Sequence, residues 1–270
     1  MIRSADSDPS IRGEDGAAAN CDPSDPGEGR LVAGIQPVRE AIRAHGSKLT
    51  RVALDGRRSP RLLALEQFAR DQGVAEILSV SGAQLDRWCR NTEHQGALAW
   101  APPLRLIELN QVLGEPDLGA IALDGIHDPQ NFGAIVRSAV GVADAPVLFG
   151  AHSAAPLSPA MFRASAGAIE HARLCRVGSI RDAIEQAANR GIQAIGLDPR
   201  AERHLQEFDL DAPTLVVIGN EHRGMQKSVR KSCTSLARLV PNSRIESLNA
   251  SVAAGIALAF LQMKRIQRST

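Results

Sequence analysis

The chain has 270 residues, which is enough for one large domain or two modest ones. Its formal net charge of +1 excludes a globally basic surface, although arginines can cluster locally. No apolar run reaches the roughly 20 residues of a membrane span, and the N-terminus lacks the pattern of a secretory signal, so we expect a cytoplasmic protein without a membrane partner. The four cysteines are scattered and lack metal-site spacing, which predicts reduced thiols and no bound metal.

The first part of the chain separates into an arm, a small domain and a linker. Residues 1–29 are rich in Ser, Asp, Gly and Pro without apolar periodicity, which predicts a disordered arm. Residues 30–101 alternate between strand and helix patterns, which predicts a small α/β domain. The patterns place strands at 49–54, 75–80 and 96–100, and helices at 37–44, at 61–72 and from Ser81 onward. Residues 102–117 follow a Pro-Pro pair and have the composition of a linker.

Residues 118–270 continue the alternation and predict a mostly parallel sheet with helices on both faces. The expected strands are 120–124, 146–149, 172–177, 193–197, 214–218 and 236–240. The expected helices are 131–142, 158–168, 180–189, 226–232 and a last one that Ser247 would cap. In that last helix one apolar face contains Leu248, Val252, Ile256, Phe260 and Met263.

Three polar loops follow strands at their carboxyl ends, where open α/β sheets bind ligands: 124–137, 218–224 and 241–246. The third loop leads into a helix whose first turns are made of small residues, a common ligand-cradling arrangement. The chain lacks GxGxxG after a strand, a P-loop and a GxSxG elbow, which argues against standard dinucleotide, nucleoside triphosphate and esterase sites. A hydrolase triad of Ser247, His127 and Asp124 carries little weight because serines and acids are common.

The motifs in these loops resemble those of the SpoU/TrmH family of S-adenosyl-L-methionine-dependent RNA 2′-O-ribose methyltransferases. They are Asp128-Pro129-x-Asn131-x-Gly133-x-x-x-Arg137, Gly219-x-Glu221-x-x-Gly224 and Ser247-Leu248-Asn249-x-Ser251-Val252. Gly34-Ile35 and His94-Gln95-Gly96 resemble the RNA substrate-binding domain of the same family. The resemblance implies a SPOUT-type parallel sheet with a deep trefoil knot, and homodimers whose active site is built across the interface. It also implies a structured RNA substrate, with ribosomal RNA favoured and transfer RNA possible.

The resemblance also assigns roles to individual residues. The implied catalytic residues are Arg137, Asn131, Glu221, Ser247 and Asn249. The implied cofactor-binding residues are Ile218, Gly219, Val240, Leu248 and Asn249. Because a guanidinium has a pKa above ~12 and is a poor base, we favour phosphate anchoring and charge stabilisation for Arg137. Structural alternatives remain open: core packing for Val240 and Leu248, capping for Asn131, Ser247 and Asn249, and solvent exposure for Glu221 and Arg137.

RNA contacts are expected from His94, Arg137 and a basic cluster around one turn, formed by Arg51, Arg57, Arg58 and Arg61. The cluster fits backbone phosphates, and a solvated basic loop is the alternative. His94 is either an RNA contact or a structural turn residue before Gly96. Tyrosine is absent, so shape and phosphate contacts with a folded RNA are favoured over base stacking.

Two alternatives to ribosomal RNA methylation stay open at the level of sequence. The first is the same chemistry on transfer RNA, or an rRNA methylation of the antibiotic-resistance type. The second is a non-catalytic RNA-binding relative, since the loop 241–246 is shorter than in the family and lacks its glycine. Retention of Asn131, Arg137, Glu221 and Asn249 favours an enzyme over that relative.

Overall fold

The computed structural model describes residues 29–57, 59–90, 93–151, 157–239 and 247–268. The expected N-terminal arm up to residue 28, Arg58, Val240 and the loop 241–246 therefore lie outside the described residues. The described chain forms a four-stranded sheet followed by a six-stranded sheet. Among these residues, no helix combines the length and the apolar character required to cross a bilayer.

The N-terminal domain is built on the four-stranded sheet. Its strands are β1 (Arg30–Ala33), β2 (Arg51–Asp55), β3 (Ile77–Val80) and β4 (Ala97–Ala101), and its helices are α1 (Ile35–His45), α2 (Pro60–Asp71) and α3 (Gly82–Cys89). The strand order is β1-β4-β2-β3, in which β4 is antiparallel to β1 and β2 while β2 and β3 are parallel. Helices α1 and α2 cover one face and α3 covers the other. Every helix and strand expected in this domain is present, with ends within a few residues of the expected ones. The strand β1 was not expected from the sequence.

The segment expected as a linker is folded against the second sheet. It contains the short helix α4 (Leu109–Val112). The Ile107 backbone N–H donates to the Leu174 carbonyl at 2.8 Å. Val112 and Leu113 are buried in the same core as Leu118. Residues 102–117 therefore join the two sheets through packed contacts, although their composition is that of a loop.

The C-terminal domain is built on the six-stranded sheet. Its strands are β5 (Gly119–Asp124), β6 (Val147–Gly150), β7 (Leu174–Val177), β8 (Gln193–Leu197), β9 (Thr214–Gly219) and β10 (Ser235–Ala237). Its helices are α5 (Pro129–Ser138), α6 (Pro159–Ala164), α7 (Ile180–Ala188), α8 (Lys227–Ser232) and α9 (Ala250–Arg268). The order is β10-β8-β9-β5-β6-β7 and every neighbouring pair is parallel, which confirms the predicted sheet.

Helices α5 and α9 share one core of this sheet, and α7 and α8 share the core on its other face. Strands β5 and β9 are central neighbours, and Asp124 pairs in register with Gly219 at their carboxyl ends. The two loops that leave these strands therefore start side by side. The implied knot stays a prediction, because residues 240–246 lie outside the described chain.

The helix expected over 131–142 changes from α-helix to π-helix after Ser138. It is α-helical as far as Ser138 and continues as a π-helical turn over Ala139–Ala143. Val142 in this turn is 40% exposed. The turn contains Gly141, which has a low intrinsic helix propensity. The predicted length is therefore right, but the last turn is wider than an α-helix.

Two expectations for the last helix are wrong. Asn249, not Ser247, caps it: its Oδ1 accepts from Ser251 N at 2.8 Å, and its carbonyl accepts from Ala253 N at 2.9 Å. The apolar face picked out from the sequence is not the buried one, since Val252 is 49% exposed. The buried side chains on this helix are Ala250, Ala254, Ala257, Leu258 and Leu261. Both serine and asparagine are good caps, so local sequence alone does not separate the two.

Candidate active site

The loops after β5 and β9 are braced against each other by buried hydrogen bonds. The Asp124 carboxylate is 1% exposed. It accepts from the Gln226 backbone N–H at 2.6 Å and from Gln226 Nε2 at 2.8 Å. Asn220 Nδ2 donates to the Gly125 carbonyl at 2.8 Å. These bonds join the ends of the two central strands into one rigid edge of the sheet.

The loop after β9 is a tight turn that depends on its glycines. The Asn220 N–H donates to the Gly224 carbonyl at 3.1 Å, and the Gly224 N–H returns a bond to the Asn220 carbonyl at 2.9 Å. Gly224 has φ 66°, in the left-handed region that favours glycine. A Cβ on Gly219 would overlap the Met225 nitrogen and the Gly224 backbone. The close approach of the Gly224–Met225 backbone therefore requires glycine at position 219.

One polar residue from each of the three motifs takes part in a single hydrogen-bonded chain. Asn131 Nδ2 donates to Glu221 Oε1 at 2.6 Å, and Asn249 Nδ2 donates to Asn131 Oδ1 at 2.9 Å. Asn249 Oδ1 then caps α9 through the Ser251 N–H. Both ends of the Asn131 amide are engaged, which fixes its orientation. We refer to Glu221, Asn131 and Asn249 as the three-loop chain.

Asn131 lies in the first turn of α5 and is not its cap. Asp128 occupies the cap position, where its Oδ1 accepts from Gln130 N at 2.9 Å. The capping alternative for Asn131 is therefore wrong. Two residues further along, a Cβ on Gly133 would lie 2.5 Å from Ala164 Cβ, so α5 and α6 pack in close contact. This packing fixes the position of α5, the helix that carries Asn131.

Arg137 is exposed at the other end of α5. Within the described residues its guanidinium makes no hydrogen bond or ion pair. Six residues separate it from Asn131, which corresponds to ~9 Å along the helix axis and about 120° around it. Within one copy of the protein, Arg137 therefore does not reach the three-loop chain, and the charge of Arg137 faces solvent.

The remaining implied cofactor residues differ in accessibility. Ile218 is 3% exposed and its side chain belongs to the hydrophobic core, so only its backbone is available to a ligand. Leu248 is half-buried and Ser247 is exposed, both just before the cap of α9. Leu239, directly before the undescribed Val240, is half-buried against the same core as Ile218.

The basic cluster of the N-terminal domain is partly neutralised by acids. Arg51 donates to Glu76 through Nε at 2.8 Å and through Nη2 at 2.6 Å. Arg57 makes a two-pronged contact with Asp55, at 2.9 and 2.7 Å, while its side chain stays 83% exposed. This hydrogen bonding lowers the pKa of Asp55 from its ordinary value and raises that of Arg57. Arg61 is exposed on α2. Of the described members, Arg51 and Arg57 are thus each paired with an acid, although the Arg57 side chain stays exposed, as Arg61 does.

His94 is used at both ring nitrogens inside the N-terminal domain. Nδ1 accepts from the Gly96 N–H at 2.9 Å, so Nε2 carries the proton that faces Asp86 Oδ1 at 3.0 Å. The side chain is 13% exposed. The neighbouring Gln95 side chain accepts from the Ile35 N–H at 3.3 Å, which joins the two N-terminal motifs. This geometry favours the structural interpretation of His94.

Sequence reasoning missed the residues that brace the site. Asn220, Gln226 and Asp124 carry the contacts between the loops, and the sequence analysis assigns a bracing role to none of them. An available signal was the Gly-Asn pair directly after a buried strand, because asparagine often closes a turn with its own side chain. A second was an acid at the end of an otherwise apolar strand, which is costly to bury without a partner.

Comparisons with known proteins match both domains. Residues 119–259, more than half of the chain, match the SpoU rRNA Methylase family, and residues 31–106 match the RNA 2′-O ribose methyltransferase substrate binding family. The chain belongs to the SpoU methylase family. It is therefore an RNA 2′-O-ribose methyltransferase with an N-terminal substrate-binding domain, which confirms the resemblance seen in the motifs.

Relatives of this SpoU methylase include mycobacterial proteins. One from Mycolicibacterium vanbaalenii, described as an uncharacterized tRNA/rRNA methyltransferase, is 36% identical over 242 residues, covering 87% of this chain and 76% of that protein. One of the same description from Mycobacterium leprae is 35% identical over 243 residues, covering 88% and 78%. The similarity thus extends through both domains.

Among solved structures, the SpoU methyltransferase AviRb from Streptomyces viridochromogenes, in complex with the cofactor AdoMet, superposes with a TM-score of 0.69 at 26% identity, covering 87% of this chain and 90% of that one. An AdoMet-bound rRNA methyltransferase from Sinorhizobium meliloti has a TM-score of 0.69 at 21% identity, covering 87% of each chain, and supports the fold alone.

Proposed function

We propose that this SpoU methylase transfers a methyl group from S-adenosyl-L-methionine to the ribose 2′-hydroxyl of a nucleotide in structured RNA, with ribosomal RNA as the favoured substrate. The observation that carries the proposal is the three-loop chain, which ties Asn131, Glu221 and Asn249 together at the carboxyl edge of the sheet. The match to the SpoU rRNA methylase family favours ribosomal RNA. The mycobacterial relatives carry a tRNA/rRNA description, so transfer RNA is the second candidate. Both substrates place the activity in the cytoplasm.

The residues present fit the cofactor. Gly219 ends β9 at this edge of the sheet and is half-buried, at a point where a side chain is sterically excluded. We propose that its backbone forms hydrogen bonds with the edge of an adenine. Leu248 offers a half-buried apolar surface at the adjacent helix start. We assign Ile218, Gly219, Val240, Leu248 and Asn249 to this site, and AviRb, a relative of the same fold, holds AdoMet. When bound, the cofactor supplies a methyl group already activated on a sulfonium.

With an activated donor, the protein mainly has to position the acceptor and to accommodate the charge that develops on it. Arg137, exposed and without an internal partner in the described chain, anchors the phosphate beside the target ribose and stabilises the developing alkoxide. Asn131, oriented by its two hydrogen bonds, directs the ribose. Glu221 holds the Asn131 amide, and Ser247 offers a hydroxyl at the same edge.

We propose that residues 30–101 bind the RNA and that residues 118–270 bind the cofactor and carry out the transfer. The exposed charges of Arg57 and Arg61 offer contacts for backbone phosphates. The cluster includes Arg51 and Arg58 by sequence, and Arg51 reaches RNA only if it leaves Glu76. His94 supports the fold of this surface through Gly96.

We infer that the chain acts as a homodimer. Helix α9 buries small residues on one face and exposes Val252 and Met263, at 49% and 56%, on the other. Val142, 40% exposed, lies in the π-helical turn after α5, next to α9. A helix that is apolar on both faces calls for a partner on the second one. A second copy would also explain why Arg137 lies away from the three-loop chain.

Calorimetric titration with S-adenosyl-L-methionine tests the proposed chemistry. We expect saturable heat at micromolar to millimolar cofactor and transfer of labelled methyl groups to unmodified ribosomal RNA. No heat at millimolar cofactor would favour the non-catalytic RNA-binding alternative. If transfer RNA is methylated and ribosomal RNA is not, transfer RNA is the substrate. Mapping ribose methylation in RNA from cells with and without the protein identifies the nucleotide.

A further inference from the structure

The contact between the two domains centres on one buried carboxylate, that of Glu170. This residue lies in a 3-10 turn of the C-terminal domain, Ala168–His171, and its side chain is 0% exposed. It accepts from Arg30 Nη1 at 2.9 Å and from Arg30 Nη2 at 2.5 Å. Its Oε2 also lies 3.0 Å from His45 Nε2. Arg30 begins β1 and His45 ends α1, so both partners come from the N-terminal domain.

The geometry of this contact is directional. A two-pronged arginine–carboxylate pair fixes the relative angle of its partners as well as their distance. The Arg30 side chain is 15% exposed, and its guanidinium carbon lies 5.1 Å from the centre of the Phe162 ring in α6. An orientation that kept these surfaces packed but broke the pair would leave the Glu170 charge buried without its partner, which is strongly unfavourable. The pair therefore selects one orientation.

A steric contact lies beside the ion pair. Gly167 has φ 87°, and a Cβ there would lie 2.7 Å from Glu40 Cβ and 2.9 Å from Pro37 Cα, both in α1. Glu40 also lies 3.1 Å from His171 Nε2. Only glycine allows α1 to approach this turn so closely.

The segment that contains Glu170 also packs against α5, the helix that carries the proposed catalytic residues Asn131 and Arg137. As described above, α6 packs on α5 at Gly133, and the turn that holds Glu170 follows α6 directly. Residues 161–171 thus lie between α1, which begins beside the Gly34-Ile35 motif, and α5, which carries Asn131 and Arg137. One packed segment sets the spacing between the RNA-binding motif and the site of methyl transfer.

We propose that Glu170 is a positioning residue that fixes the orientation of the RNA-binding domain relative to α5, and so determines which nucleotide of a folded RNA reaches the active site. The proposal rests on the function proposed above. Among the described residues, Glu170 forms no hydrogen bond or ion pair with the first two motif loops or with the three-loop chain, so it acts through Arg30 and His45.

The test compares Glu170→Gln with Glu66→Gln in the full-length protein. Glu170→Gln keeps the side-chain volume but removes the charge that holds Arg30. We expect KM for ribosomal RNA transcribed in vitro to rise about tenfold or more, with kcat and S-adenosyl-L-methionine affinity unchanged. Glu66→Gln removes an ion pair with Arg70, at 2.7 Å within α2, that crosses no domain boundary, and we expect no change.

A distance measurement gives a readout that is independent of activity. Spin labels are attached through p-acetylphenylalanine at Ala64 in α2 and Gln186 in α7, which leaves the native cysteines untouched. Because we infer a homodimer, the labelled protein is mixed with an excess of unlabelled protein, so that each measured distance lies within one copy. Pulsed electron resonance should then give one narrow distance distribution in the parent protein and a broad one in Glu170→Gln. Should that variant not fold, Arg30→Lys, which keeps the charge but loses the two-pronged contact, is expected to broaden the distribution as well.

The outcomes separate this inference from the proposed function. An unchanged distance distribution, or an unchanged KM in a variant whose distribution has broadened, overturns the positioning role of Glu170. A parent protein that binds no cofactor overturns the proposed function, while the distance distributions still decide whether Glu170 sets the domain orientation.

Discussion

Replacing Asn131 by alanine removes the middle of the three-loop chain. Two hydrogen bonds are lost, the one to Glu221 at 2.6 Å and the one from Asn249 at 2.9 Å. A bond to a charged acceptor contributes about 1.5–3 kcal/mol and a neutral one about 0.5–1.5 kcal/mol. Because Glu221 is half-buried and Asn249 is exposed, water replaces part of this loss. We therefore expect a decrease of about 2 kcal/mol in the free energy of unfolding, at the lower end of that sum.

A double-mutant cycle measured by urea denaturation isolates the bond that Asn131 shares with Asn249. Asn249→Ala should cost about 2 kcal/mol, since it removes the same bond and the cap of α9. The double variant should lose about 1 kcal/mol less than the sum of the single variants. Gln130→Ala, next to Asn131 but exposed, is the control and should change stability by less than about 0.5 kcal/mol. A coupling energy of zero would show that the chain does not form in solution.

Four further predictions concern methyl transfer, assembly, thiol reactivity and the pH dependence of stability. Arg137→Ala should keep the fold and the affinity for S-adenosyl-L-methionine while lowering methyl transfer by about 100-fold or more, and near-normal turnover would refute its role. Val252→Asp should shift the protein from dimer to monomer in light scattering, whereas a parent that is already monomeric would contradict the assembly. Burial raises the pKa of Cys175 and of Cys233 to about 11, so both should react slowly with a thiol reagent at pH 8. In the unfolded chain these thiols lose their protons at a lower pH than in the folded protein, so rising pH favours the unfolded state. The free energy of unfolding should therefore fall as pH rises from about 9 to 11, and it should fall less in Cys233→Ala.

The secondary structure could largely be read from the sequence because local signals and burial agree. Apolar runs such as that of β9 mark the central strands, and serine caps at positions such as Ser59 and Ser81 mark helix starts. The strand β1 could not be found in this way. It has four residues and its place is set by pairing with β4, about seventy positions later. Such a strand owes its conformation to tertiary contacts.

The site was predictable to the level of its loops. The carboxyl ends of parallel strands lie at one edge, so the motifs after β5 and β9 were expected on the same edge of the sheet, and the strand order makes them neighbours. The hydrogen bonds that brace them, such as those of Asn220 and Gln226, follow from side-chain geometry that no spacing encodes. The Arg30–Glu170 pair is a stronger case, because 140 positions separate its members and both look like ordinary surface charges in the sequence.

The last helix shows why size, and not only hydrophobicity, decides which face is buried. Large apolar residues usually mark the core-facing side, and Leu258 and Leu261 follow that rule, yet α9 also turns small residues such as Ala254 and Ala257 inward. A Cβ on Gly255 would lie 3.8 Å from Ser138 Oγ, so α9 and the end of α5 are in close contact. Small residues permit this approach, which leaves Val252 and Met263 on the outer face. Because Asn249 caps the same helix, a partner bound to that face would lie within one turn of the three-loop chain, and assembly and catalysis would depend on one element.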